Sequence, residues 1–573
     1  MRARQAELMN ARFFIRGLVI FAWSWCATFL LQATQAGASE NTGKSSRPNI
    51  IIILADDMGY SDPGCYGSEI ATPNLDELAK GGERFTDFYT TPRCCPSRAA
   101  LLTGLYPQQA GIGHMMEDHG VPGYRGELNG QCVTIAEALR ASGYYTMMAG
   151  KWHVTHIHFD GKRQLNFETN TPYWKSQADW PLQRGFQEYF GTIHGVNSYY
   201  DPFSLVQGNT PTNATGTNFY YTDVITDHAV ADIRNHSTGD KPFFMYVAYT
   251  APHWPLQAPA EDIAFCKSNY LVGWDAIRTN RYERMIKLGI IDPGWPLTPR
   301  DPRVPAWTDT HNQDWQATRM GTYAAMVGRL DHGVGRIMAA LKEMKVETNT
   351  LVIFFSDNGA CDEMIQPDWY DVPSKTRDGR TVHAGNNDSV KPGPDDVWQS
   401  YGVPWANVSD TPFRLYKHFV HEGGIASPFI VRWPAVIKDQ GGFVRQTAHV
   451  TDIMATCLDA AGATYPTTYN GHAILPTEGQ SLVPVFKGGR RKERPIFWEH
   501  EGNCGVRFGN WKLVARYPQG WELYDMKADR TEMNDLAGKN PDKVRELAAL
   551  YDAWAKRCDV LPWDKVPSIV PHD

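Results

Sequence analysis

No basic run long enough to suggest nucleic acid interrupts this 573-residue chain, in which 56 Lys and Arg stand against 63 Asp and Glu for a net charge of −7. With no basic stripe to meet phosphates, nucleic acid is not an expected partner. Internal repeats and low-complexity tracts are missing too, which argues against a solenoid or a tail. Neither a C-x-x-C pair nor a His/Cys spacing of the zinc-holding kind occurs. Ten cysteines are scattered along the chain. An oxidising compartment would permit disulfides among them, for example at Cys65, Cys132, Cys266, Cys361, Cys504 or Cys558, but their spacing defines no framework. The 19 Trp and 26 Tyr are plentiful, as in many carbohydrate-handling proteins, though packing explains most of them equally well.

The uncharged run Gly17 to Leu31 has fifteen residues, short of the roughly 20 that span a bilayer. Arg2, Arg4, Arg12 and Arg16 precede it, and the small residues Ala33, Ala36 and Ala38 follow. That order reads as an export signal, residues 1–38, with Ala36-Gly37-Ala38 as the cleavage site. The mature protein is therefore expected to be periplasmic or extracellular, with no permanent membrane anchor.

Four short apolar runs read as buried strands of a parallel sheet: Asn49 to Ala55, Tyr144 to Ala149, Phe243 to Tyr249 and Leu351 to Phe355. Apolar residues from Tyr323 to Leu341 keep helical spacing and lead into the fourth run, the mark of an α/β protein. A polar cluster follows each run: Asp56-Asp57, Lys151-Trp152-His153, Ala251-Pro252-His253-Trp254-Pro255 and Ser356-Asp357-Asn358-Gly359. Open α/β sheets bind ligands outside the carboxyl ends of their strands, so the four clusters are expected to converge. The Pro-, Trp- and Arg-rich stretch from Trp254 to Trp315 reads as an excursion over that face. Asp452 to Ala461 has the pattern of a helix. Beyond it, PIFWEHE, GVRFG and WKLVA, then Trp521 to Asp525 and a helix from Pro541 to Lys556, predict a small antiparallel sheet with one packed helix. The expected division is a catalytic domain over 46–475 and a C-terminal subdomain over 476–573.

Cys94-Cys95-Pro96-Ser97-Arg98, followed by Ala99-Ala100-Leu101-Leu102-Thr103-Gly104, reads C-x-P-S-R-x4-L-T-G. Taken alone, the pentapeptide would suit a buried thiol pair at a helix start. As a whole it closely resembles the signature of type I, arylsulfatase-like sulfatases of the alkaline phosphatase superfamily, a similarity that runs from Pro48 to about Leu536. The resemblance implies a large, mixed, mostly parallel sheet sandwiched by helices, with a smaller C-terminal sheet and helix. It also implies that a separate maturation enzyme, the formylglycine-generating enzyme or its equivalent, oxidises Cys94 to formylglycine, whose hydrate is the nucleophile.

By the same resemblance Asp56, Asp57, Asp357 and Asn358, with the modified Cys94, hold a metal. Asp56-Asp57 alone would pass for a strand-end turn; with Asp357-Asn358 after a second buried strand the oxygen set suits Ca²⁺, with Mg²⁺ the lesser alternative. Pro96 fits the first turn of a helix, which would set Cys94 at a helix N-terminus where anions are favoured. Arg98 would fix the hydrate, Lys151 and Lys417 would bind sulfate, and His153 would take a proton from the hydrate's second hydroxyl. His253 or Lys417 would protonate the leaving alcohol. The expected substrate is a sulfated sugar or aryl sulfate. For its recognition His114, Asn197, Tyr199, Tyr200, His500, Glu501 and Asn503 are loop candidates with equally ordinary readings. Two alternatives stay open: a formylglycine-dependent phosphodiester or phosphonate ester hydrolase, and a sulfoglycan-binding protein that is never matured.

Overall fold

The computed structural model describes residues 47–156, 176–216, 218–369 and 372–568. The export-signal expectation, residues 1–38, lies outside them. Ten strands form the central sheet: β1 (Asn49–Ala55), β2 (Glu83–Phe85), β3 (Tyr145–Gly150), β4 (Glu188–Thr192), β5 (Leu205–Gln207), β6 (Thr210–Pro211), β7 (Phe243–Ala248), β8 (Thr350–Ser356), β9 (Phe429–Arg432) and β10 (Gly442–Val444). Their order is β10-β2-β9-β8-β1-β7-β3-β4-β5-β6. The five central strands, β8-β1-β7-β3-β4, are mutually parallel, and β9, β5 and β6 join antiparallel.

The parallel centre explains the unbroken apolar runs. Ile50 to Leu54 of β1 point alternately to the two faces, and every one of them is buried. Each such side chain contributes roughly 1.5–3 kcal/mol over leaving it in water. Odd-numbered residues join one core and even-numbered residues the other, so helices must cover both sides. On the first side lie α2 (Tyr221–His236) and α5 (Gln313–Glu343); on the second is α1 (Cys94–Thr103).

The excursion between residues 254 and 315 differs from its sequence reading. It folds into α3 (Ala260–Lys267), which packs on α5, and α4 (Trp274–Leu288). Two of its tryptophans serve packing, with Trp274 set edge-on to Trp307 at 4.7 Å and to Trp405 at 5.5 Å. The helix at Asp452–Ala461 is present as expected.

The C-terminal sheet is a four-stranded antiparallel meander, β11 (Ile496–His500), β12 (Asn503–Phe508), β13 (Trp511–Ala515) and β14 (Trp521–Asp525), with α6 (Pro541–Arg557) packed on it. It is tied to the central sheet's loops through fully buried charges. Lys512 Nζ lies 2.9 Å from Glu422 and 2.8 Å from Glu532, while Arg530 Nε donates to Glu422 at 2.8 Å. None of the nine described cysteines is in a disulfide. Among the described residues no helix is long and apolar enough to cross a membrane.

Candidate active site

The strands β8, β1, β7 and β3 are adjacent and end level: Ala55 pairs with Ser356, and Leu54 and Gly150 both pair with Ala248. The four polar clusters therefore emerge side by side. Lys151 Nζ donates to Asp56 Oδ2 at 2.5 Å, bridging the ends of β3 and β1. From β8, Asp357 Oδ1 accepts the Asp57 backbone N–H at 3.2 Å, and Asn358 Nδ2 donates to Asp57 Oδ1 at 2.6 Å. After β7, His253 Nε2 lies 3.3 Å from Asp57 Oδ2.

Cys94 opens α1, with Pro96 at the third helical position. Proline suits a first turn because its missing N–H would be unpaired there anyway. Arg98, one turn on, reaches the same cluster and is fully buried. Its Nε and Nη2 donate to Asp357 Oδ2 at 3.1 and 2.8 Å, and its Nη1 donates to the Lys151 carbonyl at 3.1 Å. Lys417 comes from a separate loop before β9. Its Nζ donates to Asp57 Oδ2 at 2.9 Å and lies 3.3 Å from His253 Nε2. Three buried carboxylates thus meet three buried cations.

Charge placement sorts these groups. Burial, then Asp56, pushes the Asp357 carboxyl well above its ordinary range despite Arg98. Burial acts the same way on Asp56, but Lys151, His253 and Arg98 outweigh it and hold that carboxyl low. Lys417 loses solvation by burial, yet Asp57, Cys361 and Glu363 raise it well above the usual lysine range. The Cys94 thiol is held low by its hydrogen bond with Cys95 first and, against burial, by Lys151 and His153. Burial raises the Cys95 thiol instead. His153 is pushed down to about 3 by burial and then by Lys151, which keeps it neutral. Its backbone is left-handed, at φ 59°, and Cys95 Sγ lies 3.2 Å from its Nε2.

Two buried oxygens here, Asp56 Oδ1 and Asn358 Oδ1, have no hydrogen-bond partner. A buried carboxylate oxygen and a buried amide oxygen without partners are costly unless a cation meets them. The donors around them are hard oxygens, which fits Ca²⁺ or Mg²⁺ chemistry.

A cavity of about 280 Å³ opens above this cluster, lined by Cys94, His153, His253 and Lys417 among the expected residues. His114, Glu501 and Trp254 also line it, as do Arg93, Glu117, His194, Glu363 and Trp369, which sequence reasoning did not single out. Of the excursion, only Trp254 reaches this wall. The other recognition candidates serve elsewhere. Tyr199 Oη donates to the carbonyls of Thr250 and His253 at 2.8 Å each, bracing the His253 turn. Asn197 and Asn503 each donate to a backbone carbonyl three residues away, at His194 and His500. Tyr200 borders a separate depression with Asp201 and Arg377. Glu363 is the main residue missed: its Oε1 takes Arg93 Nη1 at 2.8 Å, and its Oε2 takes Trp254 Nε1 at 2.7 Å and lies 3.6 Å from Lys417.

The family profile described as Sulfatase matches residues 48–463. The chain belongs to the sulfatase family. A second profile, described as N-sulphoglucosamine sulphohydrolase, C-terminal, matches residues 413–550 of this sulfatase. It is 33% identical to an uncharacterized sulfatase of Schizosaccharomyces pombe, over 89% of this chain and 94% of the other. An arylsulfatase of Klebsiella aerogenes is also 33% identical, over 79% of this chain and 95% of that one. Among solved structures, Ps i-CgsB in complex with k-i-k-neocarrahexaose superposes with a TM-score of 0.62 at 25% identity, covering 90% of this chain and 95% of that one. The fold is the alkaline phosphatase-like fold of these sulfatases, and the activity is that of a sulfuric ester hydrolase.

Proposed function

We propose that this sulfatase is exported to the periplasm or the medium, that a maturation enzyme converts Cys94 to formylglycine, and that it hydrolyses the sulfate ester of a sulfated sugar. The observation that carries the reading is the meeting, at four adjacent strand ends, of the Cys94 helix N-terminus with three buried carboxylates and three buried cations. We further assign residues 46–475 to catalysis and 476–573 to a supporting subdomain.

Asp56, Asp57, Asp357, Asn358 and the modified Cys94 would hold Ca²⁺. Bound there, Ca²⁺ would supply charge to steady a sulfate oxygen and the nucleophilic oxygen, which the formylglycine hydrate provides. Lys151 and Lys417 would carry the remaining negative charge of the sulfate group, from a water-poor site where each cation counts for more. Arg98, locked by Asp357, would fix the orientation at position 94. His153, neutral and beside the N-terminus of α1, would accept the proton of the hydroxyl left at position 94. His253 Nδ1 faces the Trp254 carbonyl at 2.6 Å, so Nε2 is the atom turned toward Lys417 and the leaving oxygen.

The preference for a sugar rests on the wall above the cluster, where Arg93, Glu117, Glu363 and Glu501 offer polar groups beside Trp254 and Trp369. The k-i-k-neocarrahexaose in complex with the similar Ps i-CgsB supports a carbohydrate. The similarity to an arylsulfatase supports aryl sulfates as a second class. The test co-expresses the full chain with a maturation enzyme and measures sulfate release from sulfated sugars and aryl sulfates. Phosphodiesters run alongside, Cys94→Ala is the blank, and mass spectrometry checks the peptide around position 94. Release from one sulfated sugar, lost in the blank, is expected. Cleavage of phosphodiesters alone, with the aldehyde present, would overturn the assignment.

A further inference from the structure

Beside the catalytic cavity lies a second cluster that the reaction above does not use. His418, His500 and Glu501 offer one ring nitrogen each and a carboxylate oxygen, all within 4.8 Å of one another. His418 Nδ1 is 3.5 Å from Glu501 Oε2, and His500 Nε2 is 3.5 Å from Glu501 Oε1. His500 is completely buried, yet neither ring nitrogen makes a hydrogen bond. A buried imidazole left with both nitrogens unpaired is an expensive arrangement, and a cation at the nitrogen that faces Glu501, Nε2, would relieve one of them.

The partners around the cluster are arranged as around a metal. Glu363 Oε1 lies 3.2 Å from His418 Nε2, placing a carboxylate on the ring nitrogen opposite the one that faces Glu501. A carboxylate in that position is the usual outer partner of a metal-bound histidine; the far nitrogen, Nδ1, has Arg93 Nη1 at 3.2 Å, which a bound cation would displace. Glu501 Oε1 is held in turn by His114 Nε2 at 3.0 Å, and His114 by His119 at 3.3 Å. The backbone is left-handed at both His418, φ 80°, and Glu501, φ 49°, which is uncommon for such side chains. Arg93 touches the His418 ring, but Glu363 balances its charge.

We infer that His418, His500 and Glu501 form a binding site for a zinc-class divalent cation beside the catalytic cavity, which Glu501 alone of the three lines. Two imidazoles and one carboxylate at this spacing select borderline first-row metals over Ca²⁺, which prefers oxygen alone. Three protein ligands leave a fourth position for water or a substrate oxygen.

The test uses the full chain with Cys94→Ser and Cys95→Ser, because Cys94, Cys95 and His153 themselves lie within ligating distance of one another. With Ca²⁺ in excess, Co²⁺ is titrated while its visible absorption is recorded, and Zn²⁺ is then added as competitor. One equivalent of Co²⁺ with the strong absorption of a tetrahedral nitrogen and oxygen site, displaced by Zn²⁺, is expected. His500→Ala and Glu501→Gln should each weaken binding by at least about tenfold, the loss that follows removal of even an outer partner. Should His500→Ala fail to fold by circular dichroism, Glu501→Gln, at the cavity edge, decides alone. No tetrahedral absorption in the parent, or absorption that survives in the folded variants, would overturn the proposal.

Discussion

A β-carbon on Gly195 would stand 2.1 Å from the ring of His153. The two residues lie on different loops, and the imidazole occupies the space that a side chain at 195 would fill. Gly195→Ala must therefore push the ring away from Cys94 or shift its own loop. Overpacking of this kind costs about 1–3 kcal/mol, and displacing a catalytic group by about 1 Å can cost about 100-fold in rate. We expect kcat/KM of the matured enzyme to fall by about that factor while the protein stays folded at room temperature. Activity within twofold of the parent would show that the ring position does not matter.

The buried histidines predict acid sensitivity. His153 and His449 are each pushed down to about 3 by burial, the former helped by Lys151 and the latter by Arg494. In the unfolded chain both titrate near the ordinary value of about 6.5. Below that value the unfolded state binds more protons than the folded one, so the stabilisation present above it drains away as pH falls toward about 3. The slope is about 1.4 kcal/mol per pH unit for each histidine. His449 lies outside the cavity, so His449→Gln should make the fall in unfolding free energy with acid less steep and leave the pH profile of kcat unchanged. Denaturant unfolding at several pH values measures it, and an unaltered slope would contradict the buried neutral assignment.

How much of this was legible in the sequence depended on whether a residue's role was set locally. The four central strands announce themselves because a parallel sheet buried on both faces needs unbroken apolar runs, and the structure places each within a residue of its expected bounds. Their polar followers were legible for the same reason, since strand ends are where such a sheet can bind. Glu363 and Gly195 carried no comparable signal: each sits in a loop, and its importance comes from a partner far away in sequence. His418 and His500, some eighty positions apart, have no spacing from which a metal site could be read. The helices inside the excursion were not legible because its Trp and Pro residues mask the apolar spacing, and two of those tryptophans, Trp274 and Trp307, pack on each other.

The joint between the C-terminal sheet and the rest of the chain should be brittle. Glu422, Lys512, Glu532 and Arg530 are all buried, so removing one charge strands its partners. Breaking such a set costs about 3–5 kcal/mol. Lys512→Met should therefore lower the unfolding free energy by about that amount. A change smaller than about 1 kcal/mol, in the range of exposed pairs, would mean that water reaches the network.

Ca²⁺ should matter to stability as well as to activity, because the orphaned oxygens of Asp56 and Asn358 are expensive without a cation. A ligand that binds only the folded state at about 100 times its dissociation constant adds about 2.7 kcal/mol. We expect the thermal midpoint to rise with Ca²⁺ concentration, to fall in chelator, and to lose most of that dependence in Asn358→Ala, whose amide oxygen is gone. Asn358→Asp keeps an oxygen at the same place and should retain the response. Performing the melts on Cys94→Ser protein separates the effect from turnover. A midpoint indifferent to Ca²⁺ and to chelator in the parent would mean that Lys151, Lys417 and Arg98 alone neutralise the three carboxylates, and that the sulfate group is bound without a divalent cation.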